Sequence, residues 1–252
     1  MFQTYHTTLN AKTQLTNNTF LFHFSIPEGQ LLEFKSGQYM ILHVPTTDEH
    51  PIRRMYSIAS SPSKTTSFDL LIECMPNGKA GTFLQTLKIG DSVKLQGPAG
   101  MFVLNEVKKP VIMIATGTGF APMYSIIQDM FIDNHEYVIP SQPFHLLWGM
   151  PVKQEIYMLK ELKEIAEKNP LFSFQYCLSR ETNFKEFGED EHYFISGRVS
   201  LGLEKYINST SIDELNKYDY YLCGGHTVVE GIKNHLYDIG IEKENVHFEK
   251  FV

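Results

Sequence analysis

Short apolar runs at residues 20–26, 39–44, 68–74 and 93–96 each close on a turn signal: Pro27-Glu28-Gly29, Pro45, Pro76-Asn77-Gly78 and Gly97-Pro98. Runs of this length, regularly punctuated by Gly and Pro, predict antiparallel strands wound into a barrel or sandwich. A single helix, over 82–87, interrupts them. From residue 111 the rhythm changes. Apolar runs at 111–116 and 144–148 are followed by helical patterns at 121–131 and 153–168, and runs at 172–178, 220–223 and 246–248 follow, with another helix at 228–237. Alternation of this kind predicts a doubly wound parallel sheet, here in the order 3-2-1-4-5. The expected fold is therefore β + α/β: an N-terminal antiparallel Greek-key β-barrel, then a C-terminal five-stranded parallel doubly wound α/β domain. Lys108-Lys109-Pro110 reads as the hinge, because a helix does not run through that proline. The expected domains are 1–107 and 108–252. The acidic stretch 184–192 reads as a surface loop.

Composition narrows the class. The 252 residues are 42% hydrophobic and 13% aromatic, with 18 Phe and 13 Tyr, enough to bury two cores and too much for a disordered chain. Against 22 Lys and Arg stand 29 Asp and Glu, a net charge of -7 that disfavours a nucleic-acid partner. The strongly apolar run at 111–115 falls far short of the roughly 20 residues that span a bilayer. Nothing near Met1 resembles a secretory signal, so the chain is expected in the cytoplasm, as a monomer. Cys74, Cys177 and Cys223 lie far apart and cannot by themselves hold an iron–sulfur cluster or a Cys-rich zinc site. No metal site is expected, and redox chemistry here needs an organic cofactor.

Several segments suit such a cofactor. Gly117-Thr118-Gly119-Phe120-Ala121-Pro122 follows a predicted strand and opens a predicted helix. Glycine there lets the backbone approach a pyrophosphate, and the helix start offers unpaired N–H groups; an ordinary tight turn has the same appearance. The segment departs from G-x-G-x-x-G, which disfavours a standard Rossmann dehydrogenase. Cys223-Gly224-Gly225 ends the next strand over and faces the same crevice at the switch point, although a lone Cys is also a common core residue. In the first half, Arg54, Tyr56 and Ser57 bring together a guanidinium for phosphate, a ring for stacking and a hydroxyl donor, or else form one solvated strand face. Gly78 to Thr82 precedes the one helix of that half and offers a second anion site. Two anion sites in two domains point to two dinucleotides.

These motifs, with Gly97-Pro98-Ala99-Gly100 and the ending Glu249-Lys250-Phe251, occur in an order that resembles the ferredoxin–NADP(+) reductase family of FAD-dependent oxidoreductases. The resemblance covers essentially the whole chain and implies an FAD-binding barrel, 1–107, and an NAD(P)-binding domain, 108–252. It implies that Arg54 contacts the FAD pyrophosphate, Tyr56 packs on the isoalloxazine and Ser57 hydrogen-bonds near flavin N5. Gly81 and Thr82 would hold FAD phosphates, while Gly117, Thr118 and Gly119 would receive the nicotinamide dinucleotide. Cys223 and Glu249 match residues beside the nicotinamide, and Phe251 matches the aromatic that covers the flavin and must move aside. Two departures stand out. Gly225-His226-Thr227 follows Cys223-Gly224 where many members have Pro and Met, and Val252 extends one residue past the aromatic.

The activity so implied is hydride transfer from NAD(P)H to FAD, then release of single electrons to a separate ferredoxin or flavodoxin. Two alternatives stay open: a reductase component of an oxygenase or a free-flavin reductase, and a nucleotide-binding electron-transfer subunit with no turnover alone. With no cluster motif in the chain, a fused iron–sulfur carrier is not expected. Arg180, in Ser179-Arg180 at the end of the third predicted strand, and Arg198, in Gly197-Arg198-Val199, are the candidates for a 2′-phosphate. Gly149-Met150-Pro151-Val152 stands where an NAD site usually has Asp or Glu, which favours NADPH, with NADH as the alternative.

Overall fold

The computed structural model describes residues 2–46, 52–104, 106–133, 141–208 and 210–251. Residues 1–104 with 121–135 form one compact unit, and residues 105–120 with 136–252 form a second. No helix among the described residues is long and apolar enough to cross a membrane.

The first unit is a six-stranded antiparallel sheet. Its strands are β1 (Gln3–Gln14), β2 (Thr19–Ser25), β3 (Tyr39–Val44), β4 (Ile52–Ser57), β5 (Ser67–Glu73) and β6 (Ser92–Ala99), in the order β4-β3-β6-β1-β2-β5. Period-two burial explains the elements: Phe22 and Phe24 of β2, Phe68, Leu70 and Ile72 of β5, and Val93 and Leu95 of β6 all point into one core. The two ends of the sheet meet. Directly after β4, Ile58 bridges Leu70 of β5 in antiparallel register, and the Ala59 N–H donates to Asp69 O at 2.8 Å. This closure joins sheet edges that would otherwise present unpaired backbone groups. Helix α1 (Lys79–Thr86) puts Ala80 and Leu84 into the same core. It begins at Lys79, three residues before the sequence pattern predicts, so Gly81 and Thr82 belong to its first turn rather than to a preceding loop.

The second unit is an all-parallel sheet in the order β10-β9-β8-β7-β11-β12. Its strands are β7 (Val111–Thr116), β8 (Phe144–Met150), β9 (Phe172–Leu178), β10 (Phe194–Ser196), β11 (Asp219–Gly225) and β12 (Val246–Phe251). The five expected strands are present in the expected order, and β10 adds a sixth at one edge. Three residues carry too little pattern to announce a strand. On one face, Ile112, Ile114 and Leu222 share a core with Val199 and Leu203 of α4 (Val199–Ile207) and Val229 and Ile232 of α6 (His226–Asp238). Burial on both faces gives β7 its unbroken Val-Ile-Met-Ile-Ala run.

Helix α2 (Phe120–Phe131) follows β7, and its residues from 121 onward belong to the first unit. There Ser125 Oγ donates to Ser60 O at 2.7 Å and Gln128 Nε2 to Ala59 O at 2.6 Å. The helix expected over 153–168 is shorter. A tight turn at Lys153–Glu155 leads to α3 (Leu159–Lys168) through Met158, whose φ of 57° lies outside the helical region. α5 (Ile212–Leu215) is a single turn capped by Ser211. The acidic stretch read as a loop forms tight helical turns over Lys185–Tyr193, kinked at Gly188. Phe187 stacks on Phe194 at 4.1 Å, which fastens the stretch to the sheet edge.

Candidate functional site

In the first unit the site residues lie where β4 turns into the barrel closure. Arg54 and Tyr56 are two apart, so they share one face of β4, and Ser57 takes the other, where it is 4% exposed. Arg54 is exposed, and its guanidinium donates to Arg53 O at 2.9 Å. Among the described residues no carboxylate lies within ion-pair distance of it. Burial, and secondarily Cys74, pushes the Tyr56 phenol up to about 12, so its hydroxyl stays a neutral donor at any working pH.

Cys74 connects this strand to α1. It is buried, its thiol is pushed up to about 11 by burial, and its backbone lies against Gly81. A Cβ on Gly81 would stand 3.1 Å from Cys74 Cα and 3.2 Å from its carbonyl carbon, so the helix start rests directly on the end of β5. No side chain caps this helix at Gly78. Thr82 N–H bonds back to Gly78 O at 2.8 Å, and the preceding donors of the turn are suited to an anion. A ring-bearing diphosphate fits this group: flat aromatic, guanidinium and uncapped helix start on adjoining elements.

In the second unit the turn Gly117–Gly119 and the end of β11 meet backbone to backbone. A Cβ on Gly119 would lie 2.3 Å from Cys223 O, and one on Gly224 would lie 2.1 Å from Thr116 Oγ1. The turn is held from beneath by Trp148, whose Nε1 donates to Gly117 O at 3.0 Å while its ring stacks on Phe120 at 3.7 Å. Tyr157 also donates to Gly117 O, at 3.4 Å. No side chain caps the helical turn at Thr116 or α6 at Gly225. The cradle therefore combines glycine backbone with free helix starts at the carboxyl ends of β7 and β11, as a dinucleotide requires.

Register assembles the rest. Cys223 pairs with Glu249 and Gly225 with Phe251 across β11 and β12. Cys223 is 1% exposed, and burial first, then the Glu249 charge, holds its thiol well above the usual range. It is a neutral thiol, not a thiolate nucleophile. Ser179 N–H donates to Met150 O and Arg180 N–H to Pro151 O, at 3.0 and 2.9 Å, while Gly197 N–H donates to Leu178 O at 2.9 Å. These bonds gather Arg180 and Arg198 at the carboxyl ends of neighbouring strands, both exposed and, among the described residues, without a carboxylate in ion-pair distance.

Two family models cover most of the chain, an oxidoreductase FAD-binding domain over residues 6–104 and an oxidoreductase NAD-binding domain over 113–234. The chain belongs to the ferredoxin–NADP(+) reductase-like family of FAD- and NAD-binding oxidoreductases. The electron transfer component of toluate 1,2-dioxygenase from Pseudomonas putida is 31% identical over 98% of this chain and 67% of its own length. The propane 2-monooxygenase reductase component of Mycolicibacterium smegmatis is 30% identical over 87% of this chain and 59% of its own. The chain thus spans only 59% to 67% of the length of these relatives. The crystal structure of Amycolatopsis cytochrome P450 reductase superposes with a TM-score of 0.83 at 25% identity, covering 99% of this chain and 70% of that one. A ferredoxin NADP+ reductase from Neisseria gonorrhoeae shares the fold, with a TM-score of 0.78 at 18% identity, 99% of this chain and 98% of that one.

For an oxidoreductase of this family, the sequence motifs separate into two groups. Arg54, Tyr56, Ser57, Gly81 and Thr82 lie in the first unit, and Gly117, Thr118, Gly119, Arg180, Arg198, Cys223, Glu249 and Phe251 in the second. Sequence reasoning missed Thr116, Trp148 and Tyr157. The lone Trp, at the end of a strand whose helix partner begins Phe120, was the available signal for the support beneath the glycine turn.

Proposed function

We propose that this oxidoreductase takes electrons from NAD(P)H onto FAD and passes them one at a time to a separate protein acceptor. When bound, the nicotinamide supplies a hydride to the flavin, and the flavin can release the electron pair singly. The observation that carries the reading is the backbone contact of Gly119 with Cys223, which leaves an open, uncapped cradle beside a neutral thiol and a carboxylate. Residues 1–107 form the FAD-binding part and 108–252 the NAD(P)-binding part in this proposal, consistent with the spans of the two family models.

Each residue has a role its environment suits. Arg54 neutralises a diphosphate and orients it through a forked donor, with the first turn of α1 at Gly81 and Thr82 donating from its N–H groups. Tyr56 offers a flat face whose phenol stays protonated at working pH, and Ser57 offers a hydroxyl at the end of the same strand. Gly117, Thr118 and Gly119 receive the second dinucleotide. Cys223 and Glu249 flank its reactive ring, and Phe251 competes with that ring for one stacking position. Cys223→Ala is expected to slow anaerobic flavin reduction about tenfold, with nucleotide affinity changed by less than about twofold, because the thiol sits at the ring rather than at the phosphates. Reduction at the parental rate in stopped flow would make Cys223 a packing residue only.

The acceptor is a ferredoxin, a flavodoxin or an oxygenase component. The relatives named as electron transfer or reductase components of dioxygenases and monooxygenases favour the oxygenase setting. The test is transfer from the NAD(P)H-reduced, FAD-loaded protein to each class of acceptor and to free FMN. Reduction of none of them, with no diaphorase activity, overturns the proposal in favour of a subunit inactive alone. Buried, free Cys74, Cys177 and Cys223 suit a reducing cytoplasm.

For the coenzyme we favour NADPH. Glu181, next to Arg180, accepts the Lys153 N–H at 3.3 Å and stands 4.0 Å from its ammonium, and Glu186 pairs with that ammonium at 2.9 Å. Both carboxylates are thereby engaged by a cation, which leaves Arg180 and Arg198 for a 2′-phosphate. Arg180→Ala is expected to lower kcat/KM for NADPH about tenfold with NADH unchanged. A parent that prefers NADH contradicts this assignment without touching the flavin half of the proposal.

A further inference from the structure

The edge strand β12 carries Glu249 and Phe251, and an ordinary edge strand would hold them poorly. Among the described residues it is hydrogen-bonded on one side only, to β11. Opposite Lys250 and Phe251 stand Gly224 and Gly225, which have no side chains to pack across the ladder. Cross-strand side-chain pairs, the usual source of sheet stability, are therefore missing where the site needs order.

A second element makes up for this. Glu230, one turn into α6, accepts from Lys250 Nζ at 2.6 Å and from Lys233 Nζ at 2.7 and 2.9 Å. The Phe248 ring lies 4.9 Å from the Lys233 ammonium and 5.3 Å from that of Lys250. These charged groups are mostly covered, with side chains 26%, 16% and 30% exposed for Glu230, Lys233 and Lys250. Lys233 sits three residues on, on the same helix face as Glu230, and bonds both oxygens of the carboxylate that Lys250 also holds. Phe248 and Lys250 alternate with Glu249 and Phe251 along the strand, so tying down one pair sets the other. The two ammonium groups also keep the Glu230 carboxyl down at about 2, so the tie persists across working pH.

We propose that Glu230 is a positioning residue for hydride transfer: its bond to Lys250 locks β12 so that Glu249 and Phe251 stay beside Cys223 and Gly225. This rests on the roles proposed above for Cys223, Glu249 and Phe251. The test uses the FAD-loaded protein and two readouts, amide hydrogen exchange over 248–251 and anaerobic flavin reduction by NADPH or NADH. Glu230→Gln is expected to speed exchange over 248–251 about tenfold while β7 is unchanged, and to slow reduction about fivefold. Glu230→Lys gathers three ammonium groups and should be worse on both readouts. Adding Lys250→Glu to Glu230→Lys restores the pair with reversed sign and is expected to recover both, a rescue that general damage to the fold would not give. Unchanged exchange in Glu230→Gln, or no rescue in the double variant, overturns the lock and leaves the site roles standing. Faster exchange with an unchanged reduction rate also overturns it, and in that case the roles of Glu249 and Phe251 fall with it.

Discussion

Gly119→Ala lowers the stability of the second unit by about 3 kcal/mol and removes measurable binding of nicotinamide dinucleotide. The added Cβ would lie 2.3 Å from Cys223 O, 2.5 Å from its carbonyl carbon and 2.6 Å from Gly224 Cα. All three are backbone atoms, so no rotamer change relieves the clash. Relief requires the carboxyl ends of β7 and β11 to part, against a register that runs from Asp219↔Val111 to Cys223↔Ala115. That is why the upper part of the usual overpacking range applies. Parting the strands also opens the cradle, so affinity falls together with stability. Trp148 is the chain's one tryptophan, and its indole bonds to Gly117 O, so its fluorescence follows this part of the protein during urea unfolding. An unchanged midpoint for that transition, with parental nucleotide affinity, would show that the turn is not built on this contact.

What could be read from the sequence was whatever repeats locally. Phe22, Phe24 and Phe68 alternate with polar or half-exposed neighbours between turn signals, and the barrel strands follow from that. The unbroken Val111 to Ala115 run similarly announces a strand covered on both faces. What depended on distant partners stayed hidden. The barrel closes through Ile58 and Leu70, two residues whose pairing no local pattern specifies. β10 has three residues, less than one period of evidence. The glycine turn itself was legible, but its reason, the backbone of Cys223 more than a hundred residues later, was not. Arg54, Tyr56 and Ser57 stood out by chemistry, whereas Cys74, which joins Tyr56 to the start of α1, looked like any small core residue. Long-range charge pairing such as Glu230 with Lys250 leaves no mark on a single sequence at all.

Arg54→Ala is expected to weaken FAD binding about a hundredfold, the effect of removing a forked, charge-assisted pair to a diphosphate. Arg54 of β4 stands opposite Leu42 of β3, shares a face with Tyr56 and is exposed, so the substitution removes little packing. Among the described residues its guanidinium bonds to Arg53 O, an intrastrand contact that solvent replaces readily. The loss should therefore appear in affinity and hardly at all in the stability of the apoprotein. Arg53 makes the appropriate control: it is the adjacent residue, carries the same charge and points to the other face, opposite His43. Arg53→Ala is expected to change FAD affinity by less than about threefold, since only the long-range field is altered. Arg54→Lys keeps the charge and loses the fork, and should fall between Ala and the parent. Isothermal titration of apoprotein with FAD measures all three. Equal losses for Arg53→Ala and Arg54→Ala would reduce the contribution to net charge, and an unchanged affinity in Arg54→Ala would remove this residue from the diphosphate site.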